Sequence, residues 1–437
     1  MSDMLNSTKM TADDEKKLIH HDMATFAMHM KRNSILNRLV GDMPKGEAGA
    51  AQTLQRQTTA HLPIVRGVNL GVGKGDEMTF DLINPVKAKP IMGSDVAKGN
   101  EIGLSGSQSR LRIDQARFPL NIGDTMSDIR NPIQMRNIAR PQALNLMNRY
   151  ADQSYLVHLA GARGFQDNIE WVIPLASDPD FDKIMVNKVK APSKNRHFIA
   201  SGDAVQSFAS ASSGGSLDVQ SVDMLTMDTI DCMKSVIGSI PLPPPMVIFD
   251  GDKAATDKPL RVWMMSPAQY SQFAALPDFR KFQASAIARA SLAKNHPIFL
   301  GEAGLWNGFL IVEMPKPIRF YSGDEIKYCA NAESEDESVI QVPDFGEDYA
   351  IDRSIILGGQ ALIEGFGKHH RSQTPIFWKK ELDDYEDKES LLIGTIRGAS
   401  KMRFNVNVSG DALNPQMEYI DYGVMAVDTV VKLNGVK

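Results

Sequence analysis

The chain has 437 residues, 43% of them hydrophobic, with 48 basic and 53 acidic residues for a formal net charge of −5. This is enough apolar material for two or three cores, or for one core with large insertions, and excludes a wholly disordered chain, while the charge argues against a protein that grips nucleic acid through an overall positive field. The two cysteines, Cys232 and Cys329, exclude a disulfide framework and a cysteine-based zinc site, and suit a reducing compartment.

The first residues, "MSDMLNSTKMTADDEKKL", lack the apolar centre of a signal peptide. No stretch approaches the roughly eighteen uninterrupted apolar residues of a membrane helix, so the glycosylation-like triplets at Asn6 and Asn407 read as chance. Residues 13–40 read as an amphipathic helical arm. The soft connector "GDMPKGEAGAAQT" detaches it from the rest of the chain, so its apolar side calls for a partner.

Two strand-like runs come next. "PIVRGVNLGVGKGDEMTFDL" alternates at Met78, Phe80 and Leu82, and "SRLRIDQARFPLNI" alternates at Leu111 and Ile113, then at Phe118, Leu120 and Ile122. Residues 84–109 between them are rich in Gly, Lys and Ser, so the pattern predicts one long antiparallel hairpin over about 62–122 with a polar tip. Arg110, Arg112 and Arg117 on the return strand are placed to meet acids across a subunit boundary.

A long helix comes after the hairpin. Asn131 can cap it, Pro132 suits its first turn, and Leu144, Met147, Ala151, Tyr155 and Leu159 form one apolar stripe. Gly161 and Gly164 stop it. From Pro132 to Ala160 it spans about 43 Å, and Pro141 is expected to kink or split it. "SGDAVQSFASASSGGSLDV" (201–219) reads as a surface loop or flap. Ser221–Ile237 reads as a second helix with Met227, Ile230, Met233 and Ile237 on one face and Gly238 ending it. "PPMVIFD" and "LRVWMMS" read as buried strands, the second leading into a capped helix start at Ser266-Pro267. "KPIRFYS", "RSIIL" with "GGQALIEGFG", and "MRFNVNV" complete the strand runs, with an acidic loop around "ESEDES". Strands and helices mix without strict βαβ alternation or internal repeat, so the class is α+β.

Motifs with chemistry are absent or incomplete. "GVGKGDE" (71–77) lacks the Ser or Thr of a phosphate loop, and no helix comes after it. The adjacent pairs His20-His21 and His369-His370 chelate poorly, because neighbouring helical side chains diverge by about 100°. "ELDDYEDKE" (381–389) misses the central Gly of a calcium loop and reads as a solvated loop or one side of a charged interface. Residues 331–348 carry seven acids and no base, and belong where negative charge is tolerated. No G-x-S-x-G elbow or dinucleotide fingerprint appears, so the sequence nominates no catalytic, cofactor-binding or metal residue and no cofactor.

Several stretches, taken in order from about residue 60 to the C-terminus, resemble one family. They are "RLRIDQARFPLNIGDTM", "DQSYLVHLAGARG", "NHPIFLGEAGLWNGFLIVE" (Asn295–Glu313), "RSIILGGQALIEGFG" and "PIFWKKELDDYEDKESLLIGTIRGASKMRFN". The chain is similar to major capsid proteins of tailed bacteriophages, in the podovirus-type branch. The resemblance implies the Hong Kong-type capsid fold: an N-terminal arm (1–60), an extended hairpin loop (61–125), a peripheral domain with a spine helix (126–225), an axial domain (226–365) and a return to the peripheral domain (366–437). It further implies self-assembly into pentamers and hexamers of an icosahedral head around double-stranded DNA, with no enzymatic activity. Portal and scaffolding or decoration proteins are the expected partners. DNA is touched only weakly and nonspecifically, no membrane is involved, and assembly takes place in the bacterial cytoplasm. Pro141 and the Ser/Gly-rich 201–217 depart from the family pattern. On this reading Asn295–Glu313 is scaffold, its glycines turning the chain at a packed corner and Trp306 filling core or interface. Another virion component of the tail or head-completion type, or a cytosolic hydrolase, are the alternatives.

Overall fold

A long helix, α3 (Met135–Ala160), lies between two sheets and joins their cores. The computed structural model describes residues 15–41, 62–67, 77–83, 90–93, 98, 106–124, 135–247, 260–277, 304–370, 372–383, 387–410 and 415–433. The arm comprises α1 (Glu15–Met30) and a short α2 (Ile35–Arg38). The other helices are α4 (Phe181–Met185), α5 (Phe208–Ala211), α6 (Met227–Ser239) and α7 (Pro267–Ala275).

The first sheet is organised by the longest strand, β16 (Lys388–Lys401). Along one edge it pairs antiparallel with β4 (Asp114–Asp124). Along the other it pairs first with β15 (Ile376–Asp383) and then with β14 (Leu362–Phe366), which pairs parallel with β1 (Ile64–Gly67). Ala143 and Met147 of α3 pack on Ile376 and Ile393 of this sheet, with Phe118 and Leu120 beside them. The second sheet runs in the order β6 (Ala204–Ser207), β5 (His197–Ser201), β19 (Val424–Lys432), β13 (Tyr349–Leu357), β7 (Arg261–Met265), β9 (Phe309–Glu313), β8 (Gly304–Trp306), with β10 (Ile318–Phe320) also on β13. Its central strands are apolar on both faces, as befits strands covered on both sides. Trp263, Phe309 and Met425 face α6 and α7, while Val262, Leu310 and Ile355 face the core that α3 enters. Among the described residues, three two-stranded ribbons complete the strands: β2 (Glu77–Ile83) with β3 (Gly106–Arg112), β11 (Glu325–Cys329) with β12 (Glu337–Gln341), and β17 (Arg403–Asn407) with β18 (Met417–Asp421).

Several expectations change. The long hairpin over 62–122 is not one hairpin. Only β2 and β3 pair with each other, whereas β1 joins β14 and β4 joins β16. The chain changes partner at Ile113, because Leu111 belongs to one apolar cluster, with Phe404 and Ile420, and Phe118 to another under α3. Pro141 does not split α3, which is continuous around it; it sits on an exposed flank near the helix start. Residues 201–219 are not a flap. They hold the β5–β6 hairpin, turned at Gly202 (φ 58°), and α5, whose Phe208 stacks on His197 at 3.9 Å while Leu217 and Val219 are buried. α6 begins at Met227, not Ser221, because Thr226 and Thr229 form a capping box there; it runs through Gly238 to Ser239. In "PPMVIFD", 244–247 is irregular, and 248–250 lies outside the described residues.

Other expectations hold. Ser266 and Gln269 form the capping box at α7. Gly161 takes φ 65° after α3, and a Cβ there would lie 2.5 Å from the carbonyl oxygen of Lys190, so this stop requires glycine.

Candidate assembly surfaces

The arm is not detached over 15–41. Its polar side is turned inward: Asp22, Thr25 and His29 are buried against the chain's own first sheet and α3. The Trp378 backbone N–H donates to Asp22 and its indole Nε1–H to Thr25 Oγ1 (2.9 Å), His29 Nδ1 meets Asn148 Oδ1 at 2.6 Å, and Arg32 Nε donates to Asp152 (2.9 Å). Phe26 packs edge-on to Phe366. α2 docks by apolar burial, with Leu36 and Leu39 fully buried. The outward face of α1 carries Met23, Ala24, Ala27 and Met28. The polar residues of α1 thus face inward beside Phe26, where hydrogen-bonding partners on α3 and β15 satisfy them.

The β2–β3 ribbon is anchored at its base and exposed beyond it. Leu111 and Ser107 are buried, Ser107 Oγ donates to the Asn405 carbonyl, and the Asn187 side chain brackets Arg112, accepting from its N–H and donating to its carbonyl (both 2.9 Å). Met78 stands opposite Leu111, as the alternation predicts, but Phe80 and Leu82 stand opposite Ser109 and Ser107. The side chains of Arg110, Arg112 and Arg117 are exposed. Of the 84–109 segment, 90–93 and 98 are described beyond the strand itself. There Ile91 and Met92 are exposed, 42% and 71%, so the tip is not purely polar. "GVGKGDE" lies outside the described residues up to Gly75-Asp76.

The acidic stretches are partly engaged. In 331–348, Glu335 pairs with Lys190 (2.7 Å) and Glu337 accepts from the Ala191 N–H (3.0 Å), pinning the segment after α4. "ELDDYEDKE" is no loop throughout: it forms the end of β15 and the start of β16, with Lys380 on Glu389 at 2.9 Å. Of Asn295–Glu313, the described 304–313 is the β8–β9 hairpin. Its two-residue turn is Asn307 (φ 44°) and Gly308 (φ 85°), the conformation that Asn-Gly favours. Trp306 is half-buried and its Nε1–H donates to Asp231 (2.7 Å), tying the hairpin to α6. His21 lies edge-on to Trp378 and His369 stacks on Phe377 at 4.3 Å.

Four buried carboxylates anchor the fold, and sequence motifs nominate none of them. Asp352 accepts both Arg319 Nε (2.7 Å) and Ser266 Oγ (2.5 Å). Asp428 accepts Arg353 Nε (2.7 Å) and lies 2.8 Å from His197 Nε2. Asp421 accepts Lys401 Nζ (2.8 Å), Arg403 Nε (2.7 Å) and the Ser193 N–H (3.0 Å). Glu364 accepts Arg66 Nε (2.8 Å) and lies 3.2 Å from an Arg397 nitrogen. Burial disfavours the charges of Glu364, Asp428 and Asp421, but their charged and hydrogen-bonded partners outweigh it. Arg397, Arg66 and Arg32 hold Glu364 down at about 2, Arg353 and the hydrogen bond from His197 hold Asp428 at about 2, and Arg403 and Lys401 hold Asp421 well below the carboxylate range. Burial also lowers Lys401 to about 8 and keeps His158 and His197 neutral, each lowered to about 4. A signal for two of them lies in the sequence: Glu364 sits within "LIEGF" and Asp428 within "VMAVDTVV", where a lone charge in an apolar strand demands a buried partner.

These groups are pinned by ion pairs rather than opened towards a ligand, and among the described residues no three metal-capable side chains gather. The same residues include no helix long and apolar enough to cross a membrane. The sequence pattern of a phage capsid protein family matches residues 9–433. The chain belongs to the phage capsid protein family. A comparison with curated proteins gave no sequence match. The fold is similar to the capsid of Ralstonia phage GP4 (20% identity, TM-score 0.63, covering 86% of this chain and 89% of that one). It is also similar to that of cyanophage Pam1 (13%, 0.56, 90% and 96%) and that of Helicobacter pylori bacteriophage KHP30 (10%, 0.53, 91% and 92%). The fold is thus the Hong Kong-type capsid fold in mixed α+β form. This capsid protein forms the head shell from many copies of itself and is a component of the virion.

Proposed function

We propose that this capsid protein builds pentamers and hexamers that close around double-stranded DNA, and that it acts by geometry and buried interface, without catalysing a reaction. The observation that carries this reading is the β2–β3 ribbon: anchored at Leu111 and Arg112, it projects exposed arginines and, beyond the strands, the exposed apolar pair Ile91-Met92, and a two-stranded ribbon is marginal alone in water. A second copy of the chain supplies the missing surface. In domain terms, 1–60 is the arm, 61–125 the extended loop, 126–225 and 366–437 the peripheral domain on α3, and 226–365 the axial domain. Strands β5, β6 and β19 of the peripheral segments join the axial sheet.

Portal and scaffolding or decoration proteins complete the set of partners, with assembly in the bacterial cytoplasm. Contact with DNA is weak, since a net charge of −5 offers no general attraction. Electron microscopy of the expressed chain tests the reading. Closed icosahedral shells are expected; stacked tubes or only small free oligomers would overturn it. Subunits should bind DNA no tighter than nonspecific binders, about 10⁻⁴–10⁻⁶ M at physiological salt, and submicromolar affinity would contradict the weak contact.

A further inference from the structure

The two helices of the arm are attached by different physics. α2 is held by Leu36 and Leu39, both fully buried, and by the bridge from Val40 to Ile64. α1 is held by hydrogen bonds from its buried polar face, with Phe26 edge-on to Phe366 beside them. Between them the turn at 31–34 is fixed from the α2 side, where Asn37 Nδ2–H donates to the carbonyls of Met30 (3.0 Å) and Arg32 (2.9 Å). A helix held by polar contacts beside an apolar anchor can leave without the anchor moving.

His29 is the contact on which α1 turns. Its ring is 1% exposed and both nitrogens are engaged. Nδ1–H donates to Asn148 Oδ1 (2.6 Å), so Nε2 is left as the acceptor facing Arg32 (3.3 Å). A proton added at Nε2 turns that acceptor into a donor aimed at a guanidinium. The surroundings oppose it on balance: burial and the cations Arg32 from the arm and Arg397 from β16 disfavour the charge, whereas the hydrogen bond to Asn148 on α3 and the carboxylate of Glu364 on β14 favour it. Glu364 is already committed to Arg66 and Arg397, and Asp152 to Arg32.

We propose that α1 is an acid-released latch, with His29 as the group whose protonation frees residues 15–30 from α3 and β15 while α2 stays docked. The direction comes from linkage. Burial, then Arg32, lowers docked His29 from 6.5 to about 3, whereas in the released helix it titrates as an ordinary imidazole. Between those values the released state binds the extra proton, so the ratio of released to docked α1 rises about tenfold per pH unit as pH falls. Release uncovers Trp378 and Phe366, giving the subunit a second surface in acid.

Hydrogen–deuterium exchange on the full-length protein, as subunits and as assembled particles, tests this between about pH 7 and about pH 5. After correction for intrinsic rates, amides of 15–30 should lose protection about tenfold per pH unit below 6.5, while those of 35–40 keep theirs. His29→Gln, which can donate to Asn148 and accept from Arg32 at any pH, should flatten the dependence. Exchange of the His29 ring C2 proton in the unaltered protein reads the same titration without a variant. Constant α1 protection across that range, the same slope in His29→Gln, loss of α1 and α2 together, or a docked His29 titrating near 6.5 would each overturn the latch.

Discussion

Glu364 shows how a single side chain can govern three elements. It is fully buried on β14 and faces Arg66 from β1, Arg397 from β16 and, further off, Arg32 from the arm. Arg397 is itself wedged against the rings of Tyr150 and Tyr155 on α3. Removing the one carboxylate leaves guanidinium groups buried with too little compensation, which costs far more than the pair gains over apolar packing. Glu364→Gln keeps the volume and deletes the charge, so it should destabilise the subunit by about 3–5 kcal/mol, read as a lowered denaturant midpoint. A loss below about 1 kcal/mol, the scale of an exposed pair, would mean that water reaches the cluster. That such residues matter is legible in the sequence as charges inside apolar runs; which partner each takes is not, because Arg66 and Glu364 lie 298 positions apart.

At the scale of elements, periodicity identifies strands and helices better than it identifies their neighbours. The stripe on α3 and the capped start of α7 arise from spacing and from short-range hydrogen bonds, which a local sequence carries in full. The pairing of β4 with β16, and the break at Ile113, depend on strands nearly three hundred residues away. The arm departs from expectation for a related reason: α1 satisfies its polar face on Asn148 and Trp378, and Arg32 after it pairs with Asp152, none of them local. The consequence can be tested. A detached arm could be deleted without harm to the subunit. Here, deleting 1–41 removes two fully buried leucines, at about 1.5–3 kcal/mol each, together with several buried hydrogen bonds, at about 1 kcal/mol each. The truncated chain should therefore be less stable by several kcal/mol as an isolated subunit, before any assembly. An unchanged thermal midpoint for the truncated subunit would show that the arm contributes only between copies.

The whole molecule is exposed to acid through its interior. His158 and His197 are buried and neutral, lowered by burial from 6.5 to about 4. The unfolded chain takes up these protons first as pH falls below 6.5, so each imidazole withdraws about 1.4 kcal/mol of stability per pH unit down to about 4. Below that, Glu364 and Asp428, held at about 2, lose their pairs in turn. Denaturant titrations from neutral pH to about pH 4.5 should show this fall, and a flat profile would mean that those rings are solvated. Assembly depends on a different part of the molecule. The base of the β2–β3 ribbon belongs to the subunit: Leu111 is buried and Asn187 ties Arg112 to the carbonyl of Ala399. Beyond the strands, the described residues 90–93 and 98 are all exposed, Ile91 and Met92 among them. Replacing residues 84–105 by a short Gly-Ser turn should thus leave circular dichroism and the unfolding midpoint of the subunit nearly unchanged while abolishing closed shells in sedimentation and electron microscopy. The deletion spares β2 and β3, so a folding defect would locate subunit contacts in the tip, and normal particles would remove the ribbon from the set of surfaces that join one copy to the next. Reversing Arg110 and Arg117 to Glu gives the graded version. Exposed pairs contribute about 0–1 kcal/mol each, so the reversal should slow or weaken assembly in a salt-dependent way, whereas loss of the apolar tip should prevent it at any salt.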